Sequence, residues 1–334
     1  MSVDVYSELQ RSAQSGRLDA MVELGDRLLV GRDAPFAPEE GVALVTRAAG
    51  RGEPTALERL ATLSAAGAWR PQSWPDAFDL LVEAAGKGSP TAQGQLLLLA
   101  GDQDLATRVR TGGNEPDAWR RLADSFSIDG WATAPERRIM CEKPRIRVVD
   151  GFVKPEICSW LMDRARGKLK PALMFNGKED VRMSIRTCSD FIFDIVHSDL
   201  IALLVRVKIQ AVTKLPTIQM EPFQIFHYAL GEEIKAHYDH VRDSALSLDV
   251  KSDSQGERIA TFLIYLNHDY EGGELEFPHV NFRFKGVTGD AIFFANVDET
   301  GKAERLSLHA AKPITRGEKW MVSQWIQDRP TYLG

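Results

Sequence analysis

The chain of 334 residues is poor in cysteine. Its three, Cys141, Cys158 and Cys188, are odd in number and far apart, which reads against a disulfide framework and against a cysteine-rich zinc site. No apolar run approaches the roughly 18 residues that a membrane span needs. There is no long basic run, and the net charge is -6, so nothing electrostatic points to nucleic acid. The first twenty residues lack both the basic and the apolar region of a signal peptide. Together these absences predict a protein of a reducing, cytoplasmic setting, with no membrane and no nucleic acid among its partners. The length is enough for two domains.

The first hundred residues repeat. Ala13, Ala49 and Ala85 are separated by 36, and so are Gly16, Gly52 and Gly88, Ala20, Ala56 and Ala92, and Leu24, Leu60 and Leu96. A period of this length predicts a solenoid of helix pairs, in which small residues let helices approach and glycines end them. The recurring AAGRG and AAGKG, each followed by A-x-x-x-L, resembles Sel1-like repeats, relatives of the tetratricopeptide repeats. The solenoid is expected over 1–105 and, like other solenoids, to bind a protein. Residues 106–143 read as one more helix, near 117–126, and a connector.

After Pro144 the period shortens. Pro155 to Leu169 reads as a helix with Ile157, Leu161 and Ala165 on one face, and the stretch from His197 reads as a second. From Glu221 onward eight short apolar or alternating runs follow, punctuated by Gly, Asn and Asp. This predicts an antiparallel jelly roll with flanking helices over 144–334. The fold class expected is therefore α+β in two domains, an all-α solenoid followed by a cupin-like double-stranded β-helix.

Within the strands stands HYDH, 237–240. On a strand, His237 and Asp239 share a face, while Tyr238 and His240 point the other way. One imidazole and one carboxylate need a third ligand to make the two-histidine, one-carboxylate triad of non-haem Fe(II) oxygenases. His268, His279 and His309 are the candidates. The first two fall in turn-like contexts, and His309 begins a strand.

The segment 144–328 resembles the prolyl 4-hydroxylase branch of the 2-oxoglutarate- and Fe(II)-dependent dioxygenases. The matching residues are Tyr228-Ala-Leu-Gly231, His237-Tyr-Asp239, Glu271-Gly-Gly273, His309, Lys319-Trp320 and Trp325, with PRIRVVDGF before them and Ile185-Arg186-Thr187. The resemblance implies Fe(II) on His237, Asp239 and His309, and 2-oxoglutarate bound at its distal carboxylate by Lys319 and Tyr228. It implies O2 as a further co-substrate, ascorbate as an accessory reductant, and succinate and CO2 as products. Arg186, Glu221, Arg258 and Trp325 match positions that line a peptide groove, and a protein or peptide proline is the expected substrate, captured by the repeats.

The chain also departs from the pattern. Cys188 stands where the family has serine, Ile234 where it has tyrosine, Leu275 where it has threonine, and Gln327 where it has histidine. These changes keep two other readings open, a hydroxylase of a small molecule such as a free amino acid, and a protein-binding adaptor with a degenerate oxygenase domain. His240 is expected to be solvated or to stand behind the metal ligands. The polar stretch 239–257 is expected to form a lid.

Overall fold

The structure is a computed structural model of the whole chain, and it describes residues 2–113, 117–175, 180–181, 185–240 and 256–331. The expected lid lies almost wholly outside the described residues, at 241–255. Two compact units emerge, 1–133 with 193–205, and 134–192 with 206–332.

The first unit is the repeat. Helices Ser2–Gln14, Leu18–Val30, Pro38–Ala49, Pro54–Ala66, Trp74–Gly86 and Pro90–Leu99 follow one another, each packed on the next. The repeated columns explain the packing. The six alanines and three leucines in register are all buried, none more than 6% exposed. Gly16, Gly52 and Gly88 take φ of +94°, +79° and +89° at the turns within each pair, a conformation that costs glycine nothing. Past the sixth helix the single helix expected near 117–126 is Ala118–Asp124, and it is joined by two others, Gln103–Arg110 and Ile128–Trp131.

Residues 193–205 were expected to belong to the second domain. They join the first unit instead. Ile195, Val196, Leu200 and Leu203 complete its apolar core, and the Gln95 side-chain carbonyl accepts from the Leu200 amide at 2.9 Å. Apolar periodicity shows that these side chains must be buried but not in which core, so the contiguous division at 143/144 missed the insertion. That boundary also falls inside a hairpin, since Arg138–Cys141 pairs antiparallel with Ile146–Val149.

Among the described residues the second unit is built on two main sheets, with two further two-stranded pairings, Glu271–Gly272 with Ile314–Arg316 and Met174–Phe175 with Asp180–Val181, and every paired strand is antiparallel. Its larger sheet has eight strands, ordered Arg138–Cys141, Ile146–Val149, Ala291–Ala295, Arg258–Tyr265, Lys319–Gln327, Phe223–Tyr228, Ser189–Phe193 and Lys170–Pro171. The smaller has four, ordered Phe282–Phe284, Leu275–Phe277, His309–Ala311 and Ile234–His237. Each of the eight runs seen in the sequence contains one of these strands. Alternation puts Phe226, Tyr228, Leu263, Tyr265, Ile292 and Met321 of the larger sheet into one core with Ile234, Leu275, Phe277 and Ala311 of the smaller. The helix Pro155–Ala165 buries Ile157, Leu161 and Ala165, the face expected, and Cys158 beside them. No helix among the described residues is long and apolar enough to cross a membrane.

Candidate metal centre

Strand register builds the site. His237 ends its strand, His309 begins the neighbouring one, and the two are direct partners in the ladder. Their rings lie 4.3 Å apart between centroids. Asp239 follows two residues after His237, and its carboxylate oxygens sit 3.5 Å from the Nε2 of each histidine. One donor atom from each of the three lies within 4.8 Å of the others, and all three residues are buried. His268 and His279, the rival third ligands, lie elsewhere. His268 contacts Thr288 and is exposed, and His279 sits on an exposed 3-10 turn.

The protonation states suit a metal. The His237 Nδ1 faces the Lys235 carbonyl at 2.8 Å, and the His309 Nδ1 faces the Ser307 carbonyl at 3.0 Å. A carbonyl only accepts, so each Nδ1 carries a proton, which leaves Nε2 as the ring atom that would take a metal. Burial, reinforced by His237, pushes the His309 imidazole down to about 4, so it is neutral at pH 7. Burial alone would raise the Asp239 carboxyl, but the imidazoles and Arg258 outweigh it and hold the group far below the usual carboxylate range. Two imidazole nitrogens and one carboxylate are the donor set that non-haem Fe(II) takes, and the carboxylate would reduce a divalent ion's charge to +1.

Two contributors were invisible to motif reading. Thr261 donates to the Asp239 Oδ2 at 2.6 Å, and Asn296 Nδ2 reaches the Thr261 Oγ at 2.9 Å. The signal available was parity. Thr261 shares the inward face of its strand with Leu263 and Tyr265.

Lys319 lies in the same cavity as the triad. It opposes Tyr228 in the ladder, is 1% exposed, and donates from Nζ to the Gly273 carbonyl at 2.7 Å. Among the described residues no carboxylate pairs with it. Burial pushes its ammonium down to about 7. The rings of Tyr228 and Tyr265 each lie 5.3 Å from Nζ, and burial raises both phenols, so they stay protonated donors. The Gly273 carbonyl is presented by a turn in which Gly272 and Gly273 have φ of +72° and +68°. A Cβ on Gly272 would meet the Pro313 carbonyl oxygen at 2.3 Å. A buried cation walled by Ile234, Leu263, Leu275 and Met321 fits the carboxylate tip of a keto acid.

Of the four residues matched to a peptide groove, Arg186 and Trp325 line this cavity. Arg186 is 3% exposed, with its guanidinium 5.1 Å from the Phe226 ring centroid. Arg258 and Glu221 do not line it. They form a two-point ion pair at 2.6 and 2.8 Å, Gln327 adds a hydrogen bond to Glu221 at 2.9 Å, and Arg258 packs 3.9 Å from the Trp325 ring centroid. In this arrangement the pair supports Trp325 from behind. His240 is fully buried against Tyr238, 4.9 Å between ring centroids, which removes the solvated alternative of the two expected for it. The parity reading holds, since His240 lies outside the triad. The departures Ile234 and Leu275 sit in the cavity wall and leave the donor set whole.

Comparison with known proteins gives the following. A profile described as "2OG-Fe(II) oxygenase superfamily" matches residues 223–327. Probable prolyl 4-hydroxylases 6 and 7 of Arabidopsis thaliana are 32% identical over 228 residues and 30% identical over 203. These alignments cover 61% and 55% of this chain, and 75% and 62% of the relatives' lengths. A viral collagen prolyl hydroxylase from Paramecium Bursaria Chlorella virus-1, solved as a 2OG complex, is 25% identical, covers 56% of this chain and 98% of that one, and gives a TM-score of 0.45. A Sel1 repeat protein from Oxalobacter formigenes is 28% identical, covers 35% of this chain and 96% of that one, and gives a TM-score of 0.29.

Proposed function

Because the chain belongs to the prolyl 4-hydroxylase family of 2-oxoglutarate- and Fe(II)-dependent dioxygenases, we propose that it hydroxylates a prolyl residue of a protein or peptide. One observation carries the reading. A buried His-Asp-His set and a buried ammonium without a carboxylate partner among the described residues face a single cavity. Fe(II) with 2-oxoglutarate and O2 supplies the oxidising power for C–H hydroxylation and releases succinate and CO2.

The residues divide the work. His237, Asp239 and His309 would hold the metal on one side and leave the remaining positions open to the cavity. Lys319, protonated when the co-substrate binds, would neutralise its distal carboxylate, and Tyr228 would stand beside it as a donor. The aliphatic wall excludes water and strengthens that ion pair. Arg186 and Trp325 would orient the substrate, a cation and a flat apolar surface suited to a peptide carbonyl and a proline ring. The helical repeats would bring the substrate protein to the enzyme.

The test has two stages. Titrating 2-oxoglutarate anaerobically into the Fe(II)-loaded protein should give a saturating visible charge-transfer band, absent in His309→Ala. Proteins captured by the full chain are then incubated with iron, co-substrate and air and weighed intact. A gain of one oxygen atom, mapped to a proline, supports the proposal. Turnover of free proline with no oxidised protein would replace it with the small-molecule reading.

A further inference from the structure

The Asp239 carboxylate is held from behind by two residues in series, Thr261 and Asn296. Thr261 lies mid-strand, opposite Phe294 on one side and Trp325 on the other, and is 1% exposed. Asn296 follows the strand Ala291–Ala295 in phase with the inward Ile292 and Phe294 and is fully buried. Its backbone amide is fixed by a hydrogen bond to the Ile259 carbonyl at 2.9 Å.

The direction of the protons follows by elimination. A carboxylate that ligates a metal carries no proton and can only accept. The 2.6 Å contact must therefore use the one hydroxyl proton of Thr261. With that proton committed, Thr261 can only accept from Asn296, which must turn its NH2 group toward it. The other end of that amide, Oδ1, is buried with no hydrogen-bond partner among the described residues. An amide that leaves its carbonyl orphaned while its NH2 is engaged has been placed for the NH2 group.

We propose that Thr261, oriented by Asn296, is a positioning residue that fixes the rotation of the Asp239 carboxylate and thereby sets the affinity of the triad for a divalent metal. The inference rests on the metal reading given above. The hydroxyl occupies one lone pair of Oδ2 and holds the carboxylate's rotation, so that a metal bound there would be met by a fixed carboxylate face. Valine has nearly the shape of threonine and no donor. In Thr261→Val the carboxylate loses its stop, and the Asn296 NH2 loses its acceptor.

Co(II) is the probe, titrated anaerobically into the full chain without 2-oxoglutarate and followed by calorimetry and by its visible ligand-field bands. Thr261→Val should weaken binding about tenfold, in the range found when a partner of a metal ligand is removed, and should alter the bands. Thr261→Ser should restore both. Thr261→Val with native affinity and native bands, or Thr261→Ser no better than valine, overturns the inference. Should Thr261→Val fail to fold, Asn296→Leu decides, because it keeps Thr261 and removes only its orienting partner. Weaker Co(II) binding supports the relay, and an unchanged spectrum and affinity overturn it. A native chain that takes up no Co(II) overturns the metal reading itself, a result distinguishable from failure of the relay alone.

Discussion

Replacing Lys319 by methionine should make the protein more stable and its co-substrate site useless. The folded chain holds this ammonium near 7 in place of 10.5, a displacement equivalent to about 5 kcal/mol of burial cost at pH 7. Methionine fills similar space without that cost. It also leaves the Gly273 carbonyl without its donor, a loss of about 1–3 kcal/mol. The net gain is about 2 kcal/mol or more, a rise of about 5 °C in the unfolding temperature of a domain this size. Binding moves the opposite way. Removing one partner of a buried charge pair costs roughly 2–5 kcal/mol, a loss of about thirtyfold to several-thousandfold in 2-oxoglutarate affinity. The pH dependence separates this from a packing effect. Since the folded value is depressed, the unfolded chain binds the extra proton between about 7 and 10.5, and native stability from this group rises with pH across that window. The variant should lack that rise. Native 2-oxoglutarate affinity should fall about tenfold for each pH unit above about 7, as the ammonium deprotonates. Thermal unfolding of the metal-free protein and calorimetric titration of 2-oxoglutarate into the metal-loaded protein give both signs. A variant that is less stable than the native chain and binds the co-substrate unchanged would refute the reasoning.

Other outcomes follow from the same geometry. His309→Ala should abolish metal binding, while His240→Ala, which removes a buried ring outside the triad, should lower stability and leave metal affinity within about twofold on the general scale of non-ligand changes; equal loss of metal in both would overturn the strand parity. The His309 imidazole is depressed from 6.5 to about 4, so its contribution to stability is present above pH 6.5 and lost as pH falls toward 4. Urea midpoints of the metal-free protein should drop across that interval, and more steeply than in His309→Gln. Gly272→Ala should cost about 1–3 kcal/mol through its positive φ and its clash with Pro313, and should weaken 2-oxoglutarate binding by displacing the carbonyl that holds Lys319; an alanine variant with native affinity would separate the turn from the site.

Much of this was legible in the residues. The 36-residue step of alanine, glycine and leucine specified the helix pairs because a helix pair can pack on its copy only where small residues recur. Local alternation specified the strands, and period two fixed which of His237, Asp239 and His240 share a face. Other features were not legible. Phe193–Val205 carries the buried apolar residues of a core segment, and nothing local assigns them to the solenoid. Arg258 and Glu221 carry the charges of a binding pair, yet each satisfies the other beside Trp325 and does not reach the cavity. Whether His240 is solvated or buried behind the ligands was open in the sequence, because alternation gives the face of a strand and not what covers that face.

The sequence by itself determined the two architectures, since these depend on periodicity along one chain, and the metal donors and Lys319 were legible in it through the motifs that carry the family resemblance. Only the tertiary structure decided that His309 stands directly opposite His237, that Lys319 is buried without a carboxylate partner among the described residues, and that Thr261 and Asn296 hold Asp239. These are matters of register between strands distant in sequence. Register is fixed by which side chains fill a shared core, and spacing along one strand carries no record of its neighbour.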